Sequence, residues 1–153
     1  MTKYSGRCSC DEIEYTISRE PFFTHACHCK LCQRYTASGF VVHSMIETIN
    51  FRLKSGTLKH TTGPSGSGGG HTVFRCSQCG DQIYSHVFRN PKITVLKTTT
   101  LDDPNLFPPQ AHIYVKSKLN WLKLDDGIPK FDEFYDRETI YPPESLDRRK
   151  KVI

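Results

Sequence analysis

Cys27-His28-Cys29-Lys30-Leu31-Cys32 places three sulfurs within six residues. The C-x-C-x2-C spacing reads as a tight turn leading into one helical turn, and thiolates that close together suit a soft metal ion. Three of them leave a tetrahedral ion one ligand short. That vacancy separates a zinc site that reacts from one that braces a fold. Working outward, Cys8-Ser9-Cys10 on one side and Cys76-Ser77-Gln78-Cys79-Gly80 on the other supply four more sulfurs, the number a closed site needs. The expectation is two Zn²⁺ per chain, one closed and structural, one with an open position.

The cysteine arithmetic supports metal over disulfides. Seven cysteines leave one unpaired in a disulfide framework, and C-x-C, C-x-C-x2-C and C-x2-C are metal spacings. Met1 to Cys10 is polar and holds no apolar signal-peptide core, and no apolar run approaches the ~20 residues that span a bilayer. A soluble, cytoplasmic protein with no membrane partner is expected, a setting in which disulfides seldom persist. Formal net charge is +5 with neutral thiols; seven thiolates subtract seven and two Zn²⁺ return four, leaving about +2. That removes most of the electrostatic case for a nucleic-acid partner and leaves room for a small anionic ligand.

The 153 residues read as one domain, with 37% hydrophobic content that would benefit from staples outside the core. Aromatics sit beside Val, Ile and Thr, so the fold class is mostly β, in short antiparallel sheets with one or two short helical turns over Gln33 to Ala37. Strands are expected over Asp11 to Ser18, Phe40 to Met45, Ile49 to Lys54, Thr57 to Thr61, His71 to Arg75, Gln82 to Phe88, Ile93 to Leu101 and Ala111 to Val115. Gly63-Pro64-Ser65-Gly66-Ser67-Gly68-Gly69-Gly70 lacks the Gly-Lys-Ser/Thr ending of a phosphate-binding loop and reads as a flexible surface hairpin loop. Cys76-x2-Cys79-Gly80 is a zinc-knuckle turn at a hairpin tip. From Tyr141 to Ile153, a stretch that includes Arg148-Arg149-Lys150-Lys151, the chain reads as a loosely held polar tail.

The sulfurs divide in one of two ways. Either Cys8 and Cys10 join Cys76 and Cys79, leaving Cys27, Cys29 and Cys32 as a local trio, or the hairpin tip takes two of the trio and orphans three thiols. Compactness favours the first. It also ties the N-terminus to the middle of the chain and constrains the unfolded state.

These residues carry a resemblance. Gly6-Arg7-Cys8-Ser9-Cys10, the central trio with Ser38-Gly39 behind it, Cys76-x2-Cys79-Gly80, Leu101-Asp102-Asp103-Pro104, Pro109-x2-His112-Ile113, Ser117-Lys118 and Trp121 resemble the glutathione-dependent formaldehyde-activating enzyme family. Centromere-protein-V-like proteins share that domain. The resemblance implies a zinc-stapled, β-tent-like domain over 1–140. Cys8, Cys10, Cys76 and Cys79 would hold the structural zinc, and Cys27, Cys29 and Cys32 the catalytic one. The activity it implies is that of a carbon–sulfur lyase or synthase, joining glutathione and formaldehyde as S-hydroxymethylglutathione or cleaving that adduct. The partners are then a small-molecule thiol and a carbonyl or thio-adduct, and a homodimer is compatible.

A substrate thiol at the open position would be held as thiolate, its pKa lowered from about 8.5. His28, between two ligands, is expected to point its ring away from the metal they share and to serve as a proton shuttle, a second-shell donor or a structural group. Arg34 could pair with a glutathione carboxylate, and Ser38 and Gly39 could contact substrate. His43, His71, His86 and His112 read as structural, and Trp121 and Phe40 as core or pocket wall. The rival class is a non-catalytic, zinc-braced module for a thiol, a protein or chromatin. Its support is the basic cluster Arg148 to Lys151, which also keeps a nuclear location open.

Overall fold

The computed structural model describes residues 3–87 and 90–153. Ten strands and three helices follow in chain order: β1 (Tyr4–Arg7), β2 (Glu14–Ile17), β3 (Phe23–Cys27), α1 (Lys30–Thr36), β4 (Val41–Glu47), β5 (Phe51–Ser55), β6 (Leu58–Gly63), β7 (His71–Cys76), β8 (Gln82–Val87), β9 (Ile93–Lys97), β10 (His112–Ile113), α2 (Arg137–Ile140) and α3 (Pro143–Lys150). They form a three-stranded sheet, β1-β2-β5, and a seven-stranded sheet, β10-β3-β4-β9-β8-β7-β6. The mostly β class is as expected. The described pairings are antiparallel apart from β10, which runs parallel to β3. No described helix is long and apolar enough to cross a membrane.

Alternation along the central strands builds two cores. Met45 of β4 and Val95 of β9 face one core with Phe22, Phe23, Ile113, Tyr135 and Tyr141. Their neighbours Ile46 and Leu96 face the other with Ile13, Tyr15 and Ile17 from the three-stranded sheet. The seven-stranded sheet is thus covered on both faces. Each core carries one cysteine set: Cys27, Cys29 and Cys32 in the first, Cys8 and Cys76 in the second.

Several expected strands shift. Phe23–Cys27 is a strand buried at every position and was not anticipated, because Thr24 and His25 break any apolar pattern and, with both faces covered, there is no alternation to read. β9 stops at Lys97 and the threonine run becomes a 3₁₀ turn. There the Thr98 hydroxyl reaches Ser44 Oγ at 2.7 Å and donates to the Val42 carbonyl at 3.2 Å, while Thr100 Oγ1 donates to the Lys97 carbonyl at 2.8 Å. Hydroxyls that bond the backbone locally compete with the ladder. β8 is described to Val87; the expected end at Phe88 lies outside the described residues.

The expectation of a loosely held tail after Tyr141 is corrected. Tyr141 is buried and stacks on Phe23 with ring centroids 4.4 Å apart. Pro143 opens α3 with its fixed φ. Arg148 is 9% exposed. Its Nε donates to Glu47 Oε1 at 2.8 Å, and its Nη2 donates to Glu47 Oε2 at 2.7 Å and to the Glu20 carbonyl at 2.8 Å. A bidentate pair spanning 101 residues of sequence docks the C-terminal helix onto the end of β4. Trp121, expected in the core or a pocket wall, is 73% exposed.

Candidate metal centres and substrate cavity

All seven cysteines are free, and their sulfurs fall into the two groups expected from spacing. Within each group the sulfurs lie within 4.8 Å of one another. In the first, Cys8 Sγ is 3.5 Å from Cys10 Sγ, which is 3.7 Å from Cys76 Sγ. A tetrahedron with bonds of ~2.3 Å has edges of ~3.8 Å, so this set is already at the size of a four-sulfur metal site. Backbone N–H groups aim at it: Ile13 donates to Cys8 Sγ at 3.2 Å, and Gln78 and Cys79 donate to Cys76 Sγ at 3.4 and 3.5 Å. Gly80, at φ 82°, closes the knuckle turn by donating to the Cys76 carbonyl at 3.0 Å.

The second group is built by the end of β3 and the start of α1. Cys29 caps the helix, its sulfur accepting from the Cys32 N–H at 3.3 Å. Ala37 in the left-handed region ends it. The bonds from the Cys27 and Cys32 thiols, with the Cys32 N–H, pull the Cys29 thiol down to about 2, while Cys27 is driven up by its bond to Cys29. Among the described residues no fourth Cys, His, Asp or Glu joins this group. Both sets fit a resident metal, one with four donors and one with three.

The trio lines a cavity of about 410 Å³, whose floor is a row across the seven-stranded sheet. His25 of β3 pairs with His43 of β4, which pairs with Lys97 of β9. Lys97, 6% exposed, donates to His43 Nε2 at 3.1 Å and to Ser85 Oγ at 3.1 Å, and burial lowers its pKa to about 8. His25 Nδ1 meets the Tyr135 hydroxyl at 2.8 Å. Burial holds His25 down to about 3, His43 well below its usual value and His71 lower as well, so all three are neutral near pH 7. His43 and His71, expected to be structural, line the cavity, as does His25, to which the sequence assigned no role. His86 donates through Nδ1–H to the Ile93 carbonyl at 2.9 Å and does not line the cavity.

The glycine-rich stretch is a hairpin loop between β6 and β7, but it folds onto the site. A Cβ on Gly66 would sit 3.2 Å from Cys29 Sγ and 3.5 Å from the Tyr114 ring. Ser65, Gly66 and Ser67 wall the cavity, and Gly66, Ser67 and Tyr114 also wall a second hollow of about 320 Å³ on which Cys29 opens. Tyr114 is held there at φ 55°. Burial, then the negative charge shared by the Cys27 and Cys29 sulfurs, raises its pKa and keeps the phenol protonated. Sequence reading placed Tyr114 inside a strand and gave it no role; nothing local announces a left-handed tyrosine.

His28 is fully buried, and its Nε2 lies 2.9 Å from His112 Nδ1, whose Nε2 donates to Asp126 Oδ2 at 2.6 Å. That bond holds the Asp126 carboxyl down to about 2. With its Nε2–H committed to Asp126, His112 turns its Nδ1 lone pair to the His28 Nε2–H, which donates to it. Asp126 and His112 thereby fix the ring set between two cysteines. His28 Nδ1 is buried without a partner among the described residues. Arg34, Ser38 and Gly39 do not line the cavity. Arg34 is exposed on the last turn of α1, Ser38 Oγ donates to the Phe40 carbonyl at 3.2 Å, and Gly39 packs on Leu119. Phe40 covers the His28 ring at 5.0 Å and does not line the cavity either. The cationic groups in the lining are instead Arg137 and Arg149, the second from the basic cluster of the expected tail.

A sequence profile for the family described as glutathione-dependent formaldehyde-activating enzyme matches residues 3–117. The chain belongs to that family. The match takes in both cysteine sets, β10 and Tyr114, and supports glutathione-dependent formaldehyde activation in broad terms. No curated protein matches the chain. A solved structure of a Rhodobacter sphaeroides protein is similar in shape, with a TM-score of 0.47 and 16% identity over 85% of this chain and 99% of that one. A likeness of that size carries no argument here.

Proposed function

We propose that the chain is a carbon–sulfur lyase/synthase of the S-hydroxymethylglutathione type. Cys8, Cys10, Cys76 and Cys79 would hold a structural Zn²⁺, and Cys27, Cys29 and Cys32 a catalytic one. The observation that carries the reading is the sulfur trio, three donors and no fourth among the described residues, opening on a cavity of about 410 Å³. Soft thiolate donors at tetrahedral spacing select zinc among common ions, and three donors leave a position for substrate. When bound there, zinc supplies a soft cation that keeps a substrate thiol ionised at neutral pH.

The chain's own residues do the rest. Apolar walls from Phe22, Met45, Ile93 and Val95 exclude water around the sulfur. The Lys97 ammonium, behind His43, offsets the thiolate charge without entering the cavity. In the synthetic direction the glutathione sulfur forms a bond to the formaldehyde carbon, and the carbonyl π pair moves to oxygen. That oxygen takes a proton from the Tyr114 phenol, which is restored from solvent through the adjoining hollow. The reverse sequence breaks the same bond and releases the aldehyde. The rival reading as a chromatin-binding module loses its support, because Arg148 is buried in an ion pair and Arg149 faces the cavity.

The test is to load the protein with zinc, confirm two ions per chain, and follow adduct formation from glutathione and formaldehyde by exchange NMR. Acceleration over the uncatalysed reaction, abolished in Cys29→Ser with one zinc retained, supports the reading. Equal rates with and without the zinc-loaded protein refute it.

A further inference from the structure

The described cavity lining contains two guanidinium groups, Arg137 and Arg149, and no aspartate or glutamate. Arg149 stands between two basic neighbours that are both paired: Arg148 with Glu47 at 2.7 Å, and Lys150 with Glu138 at 3.5 Å. Neither Arg149 nor Arg137 makes an ion pair among the described residues. The Arg137 guanidinium lies over the Phe134 ring, 4.7 Å from its centroid, which orients the fork beside the Tyr141 hydroxyl. Burial, then the charge of Arg137, lowers the Arg149 pKa, so the two cations feel each other across a partly dry space. Two like charges in a cavity lined by no carboxylate are costly in the empty protein, although Glu138, paired with Lys150, offsets part of the charge on Arg149. An anionic ligand relieves that cost.

We infer that Arg137 and Arg149 form a carboxylate-binding subsite. The substrate is then a thiol or thio-adduct bearing carboxylate away from its sulfur, as glutathione and its S-substituted forms do, and not a small neutral thiol. The sulfur end of this assignment rests on the function proposed above; the carboxylate end does not. Planar guanidinium forks match carboxylates bidentately. The three histidines beside them are neutral and do not compete for the anion. Both arginines come from α2 and α3, outside the residues 3–117 that the family profile matches. The subsite is set by a segment that docks through Arg148 and Glu47.

The experiment is calorimetric titration of the zinc-loaded full chain with glutathione, S-methylglutathione, the diester of S-methylglutathione, and cysteamine. S-methylglutathione keeps the carboxylates but has no free thiol; cysteamine has the thiol alone. Loss of one charge-assisted contact corresponds to about 10- to 100-fold in affinity. Arg137→Gln and Arg149→Gln should each weaken glutathione and S-methylglutathione by that amount, with cysteamine unchanged and Arg149→Lys recovering part of the loss. On the unmutated protein the diester should bind correspondingly worse than the acid, a comparison that survives any folding defect in the variants. Zinc content and melting temperature equal to wild type check the fold. If the diester binds as well as the acid, or the Arg137→Gln/Arg149→Gln protein binds both peptides within twofold of wild type, the inference is overturned. Arginine-dependent binding of both peptides with no ligation of the glutathione thiol at the trio, read from the spectrum of cobalt-substituted protein, supports this subsite and refutes the proposed function. Ligation of glutathione and cysteamine with equal affinity does the opposite.

Discussion

Replacing Arg148 with methionine tests whether the C-terminal helix is part of the fold. Methionine keeps an apolar stem over Phe22, whose ring lies 5.7 Å from the guanidinium, and removes the charge alone. Glu47, 6% exposed, would keep only Asn50 Nδ2 at 3.1 Å and Arg19 Nη1 at 4.0 Å. Breaking a buried pair by removing one partner costs about 3–5 kcal/mol. Because Arg19 remains near, the lower figure applies, ~3 kcal/mol. For a chain of this size ~1 kcal/mol shifts Tm by about 2–4 °C, so Tm should fall by roughly 6–12 °C. Burial raises the Glu47 pKa, but the bonds and charge of Arg148 outweigh it and hold the carboxyl below its ordinary value. The stability it contributes is therefore full above the unfolded carboxylate pKa and is lost as pH falls through the lower folded value. In the variant the carboxyl moves up instead, so the gap to wild type should be widest near pH 7 and narrow toward pH 4. Urea denaturation of zinc-loaded protein across that range is the assay, with Glu47→Gln/Arg148→Met expected to recover most of the loss. A loss below about 1 kcal/mol for Arg148→Met, or a gap that widens in acid, would show that the helix is not held by this pair.

Other outcomes follow from the two sulfur sets and their surroundings. Cys76→Ser should lose the structural ion and much of the cooperative unfolding transition, whereas Cys29→Ser should keep the transition and lose thiol binding; circular dichroism with zinc analysis separates them. Gly66→Val puts a side chain 3.2 Å or less from Cys29 Sγ and should raise KM for the thiol at least several-fold with Tm unchanged, since the loop lies outside both cores. Asp126→Asn removes the carboxylate that sets the His112 tautomer and should cost about 10- to 100-fold in metal affinity at the trio or in kcat, with the four-sulfur site unaffected. Competition with a zinc chelator measures the first and steady-state kinetics the second.

The division of the cysteines was legible because metal spacing is local: C-x-C and C-x2-C each need only a few residues to be recognised, and two four-residue turns suffice to pair them. β2 was legible for the same reason, with Ile13, Tyr15 and Ile17 buried on every second residue. Arg148 was not, because its reason for burial lies 101 residues away. A signal was present in Glu47, a carboxylate ending the apolar run Val41–Glu47, which calls for a buried cation from somewhere. The cavity histidines were passed over because alternation in a strand gives the face and not what that face borders. Arg34 was a candidate only for its closeness to the trio in sequence, and α1 turns it outward to solvent. The glycine-rich loop looked idle by composition; only its close approach to Cys29 shows why a residue without a side chain stands at position 66.

The two sulfur sets differ in how they meet the surroundings. Cys10 and Cys79 are exposed, while Cys27, Cys29 and Cys32 are all buried. A stray aldehyde or oxidant arriving from bulk solution thus encounters the clasp before the workbench. Chemical wear on this protein should begin as loss of shape, with turnover per surviving molecule holding steady while the number of survivors declines.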